Sequence, residues 1–366
     1  MISPKNRTVY NFRGELIQEL IRRGYEVLVI GPDQTDVERI QNLGAAFYQI
    51  PMRKNGTNPL ADLNYCRAMW SLMKKEKPDV VLGYTIKPVV YGAIASRLAG
   101  IKNINGMVTG GGYVFTSRSV KAKMLGQIVR LLYRIGFACC DHVIFQNPDD
   151  QREFCAMGLV HAGKCGVVNG SGVNMERFRP CPYPKVPTFF MLSRLLKSKG
   201  VMEYLEAARM VKQTHPYARF WLLGKYEMQM QDAVSRDQVE PYLEDGTVER
   251  FDETAEVRPY YAGCSVYVLP SYREGTPRTV LEAMAMGRPI LTTDTNGCRE
   301  TVVDGRNGYL VAVGDPMALA EKMRMFLNEP LLIERMGKES LSICREKYEV
   351  NEVNHKMLEL MECGVQ

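Results

Sequence analysis

Two carboxylates, Glu274 and Glu282, bracket the segment best suited to chemistry. Residues 266–293 read VYVLPSYREGTPRTVLEAMAMGRPILTT. The apolar run 266–269 predicts a strand ending at Pro270, and residues 290–292 predict a second. Thr276 as N-cap and Pro277 as first helical residue predict a helix between them, reaching about Met286 and stopping at Gly287. Together they form a βαβ unit. Glu274 then stands at the carboxyl end of a parallel strand, where open α/β sheets bind ligands. Glu282 follows on the first turns of the helix. The amides and positive dipole end of that helix lie between the carboxylates. Carboxylates accept hydrogen bonds from hydroxyls, and helix-end amides suit phosphate. The pattern predicts a site for a phosphorylated polyhydroxy ligand.

Glu274-Gly275-Thr276-Pro277 at a strand end, followed by Leu281-Glu282-Ala283-Met284-Ala285 and Gly287-Arg288-Pro289-Ile290, resembles the Glu-x7-Glu signature of glycosyltransferase family 4. These are retaining enzymes of the GT-B fold. The resemblance implies that Glu274 contacts hydroxyls of a donor sugar and Glu282 the ribose. It implies that Gly275, Thr276 and Pro277 open the helix facing sugar and phosphates. Residues 193–200, SRLLKSKG, resemble the family's Arg and Lys on the nucleotide diphosphate. Breaking a glycosyl–phosphate bond leaves negative charge on that diphosphate. Arg194 could bind it bidentately and Lys199 as a point charge. The alternative for this loop is a solvated basic turn. Glu274, Arg194 and Lys199 are the catalytic candidates. No Asp-x-Asp occurs in the chain, so the metal motif of the other large glycosyltransferase fold is missing. Two cations and a helix end would replace the divalent ion, and neither a metal nor a cofactor is expected.

Thr109-Gly110-Gly111-Gly112-Tyr113 resembles a Gly-Leu-Gly-Tyr-Val-Phe loop that faces the cleft in this family, with Gly111 in place of Leu. Gly110, Gly111, Gly112 and Tyr113 are candidates for an acceptor pyrophosphate, although a glycine loop alone is a weak signal. Gly170-Ser171-Gly172-Val173-Asn174, with Phe178, resembles a Gly-Ser-Gly-Val-Asp…Phe turn, with Asn174 where Asp is usual. It reads as an interdomain turn rather than a ligand contact.

The elements around these residues alternate between short apolar runs and helical patterns. Residues 27–30, 80–82 and 143–145 predict strands in the first half, with helices over 15–23 and 63–75. Residues 189–192, 220–223 and 248–251 continue the series in the second. This alternation predicts an α/β fold with parallel sheets. Prolines at 180, 182, 184 and 187 make 179–187 a stiff linker. With the resemblance, the plan is GT-B: two Rossmann-like parallel-sheet domains facing a central cleft. The expected boundaries are 1–178 on the acceptor side, linker 179–187, a nucleotide-sugar domain 188–348, and a helix in 349–366 packing back on the first domain. Only residues 1–3 precede the first turn region, so the first strand reads as truncated, by a misassigned start or with its edge filled otherwise.

At 366 residues, with 46% hydrophobic and 24% charged residues, the chain fits two soluble globular domains. No segment approaches the roughly 18 uncharged apolar residues of a membrane span. The N-terminal residues MISPKNRTVYNFRGE lack the apolar core of a signal peptide. Ten cysteines without a CxxC pair read as reduced thiols of a cytosolic protein. The four histidines have no companions at metal-ligand spacing.

Charge is unevenly placed. Residues 1–186 hold 25 Lys+Arg against 14 Asp+Glu, whereas 187–366 hold 22 against 27. Residues 80–140 contain eight Lys/Arg and no carboxylate, which points to an anionic partner surface. Residues 119–136 have helical period. Met124, Ile128, Leu131 and Ile135 line one face, with Lys123, Arg130 and Arg134 opposite. One reading is a surface helix with a core face and a solvated face. The other is attachment to an anionic membrane or a lipid diphosphate.

The expected activity is retaining transfer of a hexose or N-acetylhexosamine from a nucleotide diphosphate-sugar, UDP first, to a saccharide acceptor on polyprenyl diphosphate. The enzymes resembled are bacterial ones that extend lipid-linked oligosaccharides or capsular units. The expected partners are a nucleotide-sugar donor, a saccharide or lipid-linked saccharide acceptor and an anionic membrane surface, with no nucleic acid. The expected place is the cytoplasmic face of the membrane, held peripherally. One rival is a nucleotide-sugar epimerase of the same fold, opposed by Glu274 and Glu282. Another is a non-catalytic subunit, supported by the truncated first strand. A dinucleotide dehydrogenase lacks its Gly-x-Gly-x-x-Gly after an early strand.

Overall fold

The computed structural model describes residues 1–52, 58–110 and 120–363, with the backbone alone over 120–125. The chain divides into two compact units, Met1–Ser171 with Val350–Gln366, and Gly172–Glu349.

In the first unit, β1 (Leu28–Gly31), β2 (Ala46–Gln49), β3 (Val80–Tyr84), β4 (Asn103–Val108), β5 (His142–Phe145) and β6 (Cys165–Val167) are parallel. Residues 1–3 complete the sheet. Ile2 bridges Ile30 of β1 and Gly83 of β3. Its N–H donates to Leu82 O at 2.7 Å, and the Ser3 N–H donates to Ile30 O at 2.9 Å. Counting that segment first, the sheet has doubly wound order, and the order reverses beside Ile2. Residues 1–3 therefore occupy the place of the first strand, and the main support for a non-catalytic subunit falls away. Ile2 is fully buried.

Helices cover both faces of this sheet, and successive β5 residues show it. Val143 and Phe145 join a core with Met69, Val90 and Phe137, from helices Pro59–Glu76, Ile86–Leu98 and Val120–Cys139. Ile144, between them, joins a core with Leu16, Ile17 and Met357, from helices Asn6–Arg22 and Val350–Leu360. Alternation along a strand sends neighbours to opposite faces.

In the second unit, β7 (Thr188–Leu192), β8 (Arg219–Leu223), β9 (Glu249–Phe251), β10 (Val266–Leu269), β11 (Ile290–Thr293) and β12 (Gly308–Val311) are also parallel. Their order is β12-β11-β10-β7-β8-β9. The order reverses between β7 and β10, and ligands bind outside the carboxyl ends of strands at such a reversal. Phe189, Phe190, Met191 and the whole of β10 are buried, as a parallel sheet covered on both faces requires.

The proline-rich segment 179–187 lies inside this second unit rather than forming a separate linker. The wholly buried Arg288 pins it. Its Nη1 donates to Cys181 O at 3.0 Å and its Nη2 to Pro182 O at 3.1 Å, while Nε donates to Tyr261 O at 2.9 Å. The Tyr183 hydroxyl donates to Gly287 O at 2.7 Å. The chain passes between units at 171/172, upstream of the expected boundary at 178, and again at 349/350.

Candidate active site

The loop after β7 is anchored by Leu195 and Leu196, both buried. The Leu195 N–H donates to Lys225 O at 3.1 Å. Residues Lys197–Lys199 make one 3-10 turn, and Gly200 closes it at φ +73°. A Cβ on Gly200 would lie 2.0 Å from Pro270 O, so the turn presses directly on the loop after β10.

That second loop is held from both sides. The Tyr272 N–H donates to Ser198 O at 3.0 Å, on the β7 side. On the β11 side, the Glu274 N–H donates to Asn296 O at 3.0 Å. Gly297, at φ +77°, lies under it, and a Cβ there would stand 2.4 Å from Glu274 O and 2.2 Å from Gly275 O. The result is direct contact between two candidates. Lys199 Nζ lies 2.5 Å from Glu274 Oε1, and both side chains are largely buried. Arg194 stays exposed, and among the described residues its guanidinium has no hydrogen-bond or ion-pair partner.

The helix after Glu274 spans Arg278–Ala285. Its N-cap is Pro277, extended at φ −71° and ψ 109°, so Thr276 is not the cap and Pro277 is not the first helical residue. Thr276 is buried just ahead of it. Met286 is the C-cap and Gly287 follows at φ +73°, the left-handed stop expected there. Glu282 is nearly buried. Its Oε2 accepts a hydrogen bond from the Tyr261 hydroxyl at 3.0 Å, and Arg278 Nε stands 3.4 Å from its Oε1. Burial holds the Glu282 carboxyl above its usual pKa, with Arg278 and the Tyr261 hydroxyl opposing. Tyr267 of β10 senses both carboxylates. Its hydroxyl donates to Leu192 O at 3.1 Å, and burial first, then Glu282 and Glu274, push its pKa up.

Sequence reasoning missed several of these supports. Arg278 is four residues before Glu282, a helical ion-pair spacing that was available. Nothing in the sequence marks Tyr261, Tyr267 or Gly297, which arrive through tertiary structure.

In the first unit, Gly110 follows β4 at φ +126°. Gly111, Gly112 and Tyr113 lie outside the described residues, as does the Lys123 side chain. Arg130 is exposed, and Arg134 Nε donates to Gly158 O at 2.9 Å. The helix Val120–Cys139 corrects the expected orientation. Ile128, Leu131 and Ile135 are 57%, 58% and 44% exposed, while Val129, Tyr133 and Phe137 face the core. The helix has two apolar stripes, and the aromatic one turns inward, where Tyr133 stacks on Phe137 and meets Phe154 edge-on. Asn174 forms a local turn, its Oδ1 accepting from the Glu176 and Arg177 N–H groups at 3.1 and 3.0 Å. Among the described residues no helix is long and apolar enough to cross a membrane.

The family described as Glycosyl transferase 4-like domain matches residues 11–197, half of the chain. The chain belongs to the glycosyltransferase 4-like family. Glycosyl transferases group 1 matches residues 186–329, which include Arg194, Lys199, Glu274 and Glu282. This glycosyltransferase is 26% identical over 373 residues to the N,N'-diacetylbacillosaminyl-diphospho-undecaprenol alpha-1,3-N-acetylgalactosaminyltransferase of Campylobacter jejuni, covering 98% of this chain and 96% of that one. It is 27% identical over 285 residues to the Escherichia coli UDP-Gal:alpha-D-GlcNAc-diphosphoundecaprenol alpha-1,3-galactosyltransferase, covering 74% and 71%. Anabaena HepE in complex with UDP and glucose superposes with TM-score 0.79 at 18% identity, covering 99% and 98%. The fold is that of the GT-B glycosyltransferases, built from two Rossmann-like parallel sheets.

Proposed function

We propose that this glycosyltransferase moves a hexose or N-acetylhexosamine from a UDP-sugar to a saccharide on polyprenyl diphosphate, with retention and without a metal ion. The observation that carries this reading is the Lys199–Glu274 pair at the β7/β10 reversal, beside the exposed Arg194. In the free enzyme the two charges satisfy each other. A bound donor supplies new partners for both: Lys199 turns to the diphosphate, with Arg194, and Glu274 accepts from hydroxyls of the sugar. Charge that develops on the leaving diphosphate then meets two cations already in position. Glu282, deeper in the site, accepts from the ribose. Each carboxylate oxygen has more than one lone-pair direction, so Tyr261 and Arg278 leave room for that bond.

The acceptor class draws support from the two relatives, whose names both record a diphosphate-undecaprenol sugar and an alpha-1,3 linkage. An α linkage is what retention yields from an α-linked UDP-sugar. The UDP assignment draws support from the relative that uses UDP-Gal. Peripheral attachment to the cytoplasmic face draws support from the exposed Ile128, Leu131 and Ile135 on a helix that also carries Arg130 and Arg134. An apolar stripe beside cations is the composition of a helix lying in a membrane interface. Gly110–Gly112 and Tyr113 remain the acceptor-side candidates in this reading. The test is incubation with a panel of UDP-sugars and polyprenyl-diphosphate saccharides, with mass and anomeric analysis of the product. Transfer only to soluble acceptors, or an inverted linkage, would replace this reading.

A further inference from the structure

A second apolar and basic stripe lies on the outer surface of the first unit, apart from helix Val120–Cys139. Helix Pro59–Glu76 packs on helix Ile86–Leu98, which in turn packs on helix Val120–Cys139. The inward side of the first is Tyr65, Met69, Leu72 and Met73. Its opposite side leaves Leu63, Arg67, Trp70 and Lys74 exposed, three or four residues apart on one face. Lys74 Nζ stands 4.3 Å from the centre of the Trp70 ring.

Charge on this surface has one dominant sign. Between residues 58 and 139 the carboxylates are Asp62, Glu76 and Asp79. Lys87 Nζ lies 2.5 Å from Asp62, and Lys75 Nζ lies 3.0 Å from Glu76. Arg97 pairs with Asp141 at 2.7 Å, whereas Arg67 and Lys74 on this helix have no carboxylate partner among the described residues and have an anionic surface as their natural complement. An indole half in water and flanked by cations matches the interfacial belt of membrane-bound proteins, where an apolar ring carries one polar edge.

We propose that helix Pro59–Glu76 is a second contact with an anionic lipid bilayer, with Trp70 and Leu63 entering the interface and Arg67 and Lys74 meeting headgroup phosphates. The proposal rests on the membrane reading of helix Val120–Cys139. One amphipathic helix holds a protein at a membrane; two on one face also fix its orientation there.

The chain has two tryptophans, Trp70 and Trp221, so Trp221→Phe leaves Trp70 as the only indole. The probe is a vesicle of equal phosphatidylglycerol and phosphatidylcholine at low salt. The expected result is a blue shift of Trp70 emission, quenching by lipids brominated on their acyl chains, and about tenfold weaker co-sedimentation of Trp70→Ala. Trp70→Ala should melt as the wild type does. Co-sedimentation with unshifted, unquenched Trp70 and an unaffected Trp70→Ala would overturn the second contact and leave helix Val120–Cys139 as the anchor. Wild-type protein staying in the supernatant would overturn the membrane reading itself. If Trp221→Phe fails to fold, co-sedimentation of Trp70→Ala and Trp70→Tyr in the native background decides the matter: loss with Ala and recovery with Tyr supports the contact, and no change in either removes it.

Discussion

Lys199 Nζ lies 2.5 Å from Glu274 Oε1, although 75 residues separate them in the chain. The contact exists because their parent strands, β7 and β10, are neighbours at the one place where the strand order reverses in that sheet. In the proposed reaction Lys199→Ala removes one of the two cations that meet the leaving diphosphate. Turnover should fall by about 10²–10³-fold, the usual cost of deleting one charge-stabilising donor. Steady-state transfer assays on Lys199→Ala and Arg194→Ala test this, and wild-type turnover in either would take that residue out of the chemistry.

Glu282→Ala should weaken UDP binding by roughly 1–3 kcal/mol, the value of a hydrogen bond to a charged group. Calorimetric titration of UDP into both proteins measures it. Equal affinities would remove Glu282 from the ribose.

Stability should respond to pH through the same residue. Burial raises the Glu282 pKa in the folded state, so the folded protein holds that proton to higher pH than the unfolded chain does. Stability contributed by this group is intact below the ordinary Glu value of about 4.3 and is lost as pH rises from there through the raised folded-state value. Glu282→Gln cannot ionise. Its melting temperature should gain on the wild type between pH 4 and pH 7, and a difference independent of pH would contradict the burial argument.

Transfer should persist in excess EDTA. The sequence has no Asp-x-Asp, and in the proposed reaction Arg194 and Lys199 would supply the positive charge that a metal motif otherwise provides. Loss of activity on chelation, restored by magnesium or manganese, would refute the charge-replacement argument.

Replacing Lys123, Arg130 and Arg134 with Gln should reduce binding to anionic vesicles by up to about 1 kcal/mol per residue. Binding of the wild type should itself weaken with salt, which screens exposed charge over about 8 Å at physiological strength. Arg134 should contribute least, because its guanidinium is already committed to Gly158 O. Co-sedimentation across a salt series gives the answer, and UDP affinity should not change.

The βαβ unit around Glu274 was legible because strand, helix stop and strand each carry a local signal, Pro270 and Gly287 among them. The helix start was off by a residue because a proline suits both N-cap and first turn. Residues 1–3 gave no strand signal, since three residues are too few for a period and their strand character comes from β1 and β3 on either side. Periodicity found the stripe Ile128–Leu131–Ile135 but could not orient it, because Val129, Tyr133 and Phe137 form a competing stripe on the same helix. Arg288 was invisible for a different reason: apart from the Tyr183 ring it lies over, its partners are backbone carbonyls and a cysteine sulfur, and carbonyls carry no sequence signature.

Helix Val350–Leu360 sets a schedule for synthesis. Val353, Met357 and Leu358 share one core with Val9, Leu16 and Ile17 of helix Asn6–Arg22, so a helix made before the second unit packs against one made after it. The second unit, Gly172–Glu349, is a single stretch of chain and is complete before that closing helix emerges. A nascent chain stalled near residue 349 would carry one finished body and one with an open apolar seam along its first helix. Chaperone occupancy in the cell should concentrate on that seam, and it should vanish only when helix Val350–Leu360 is released.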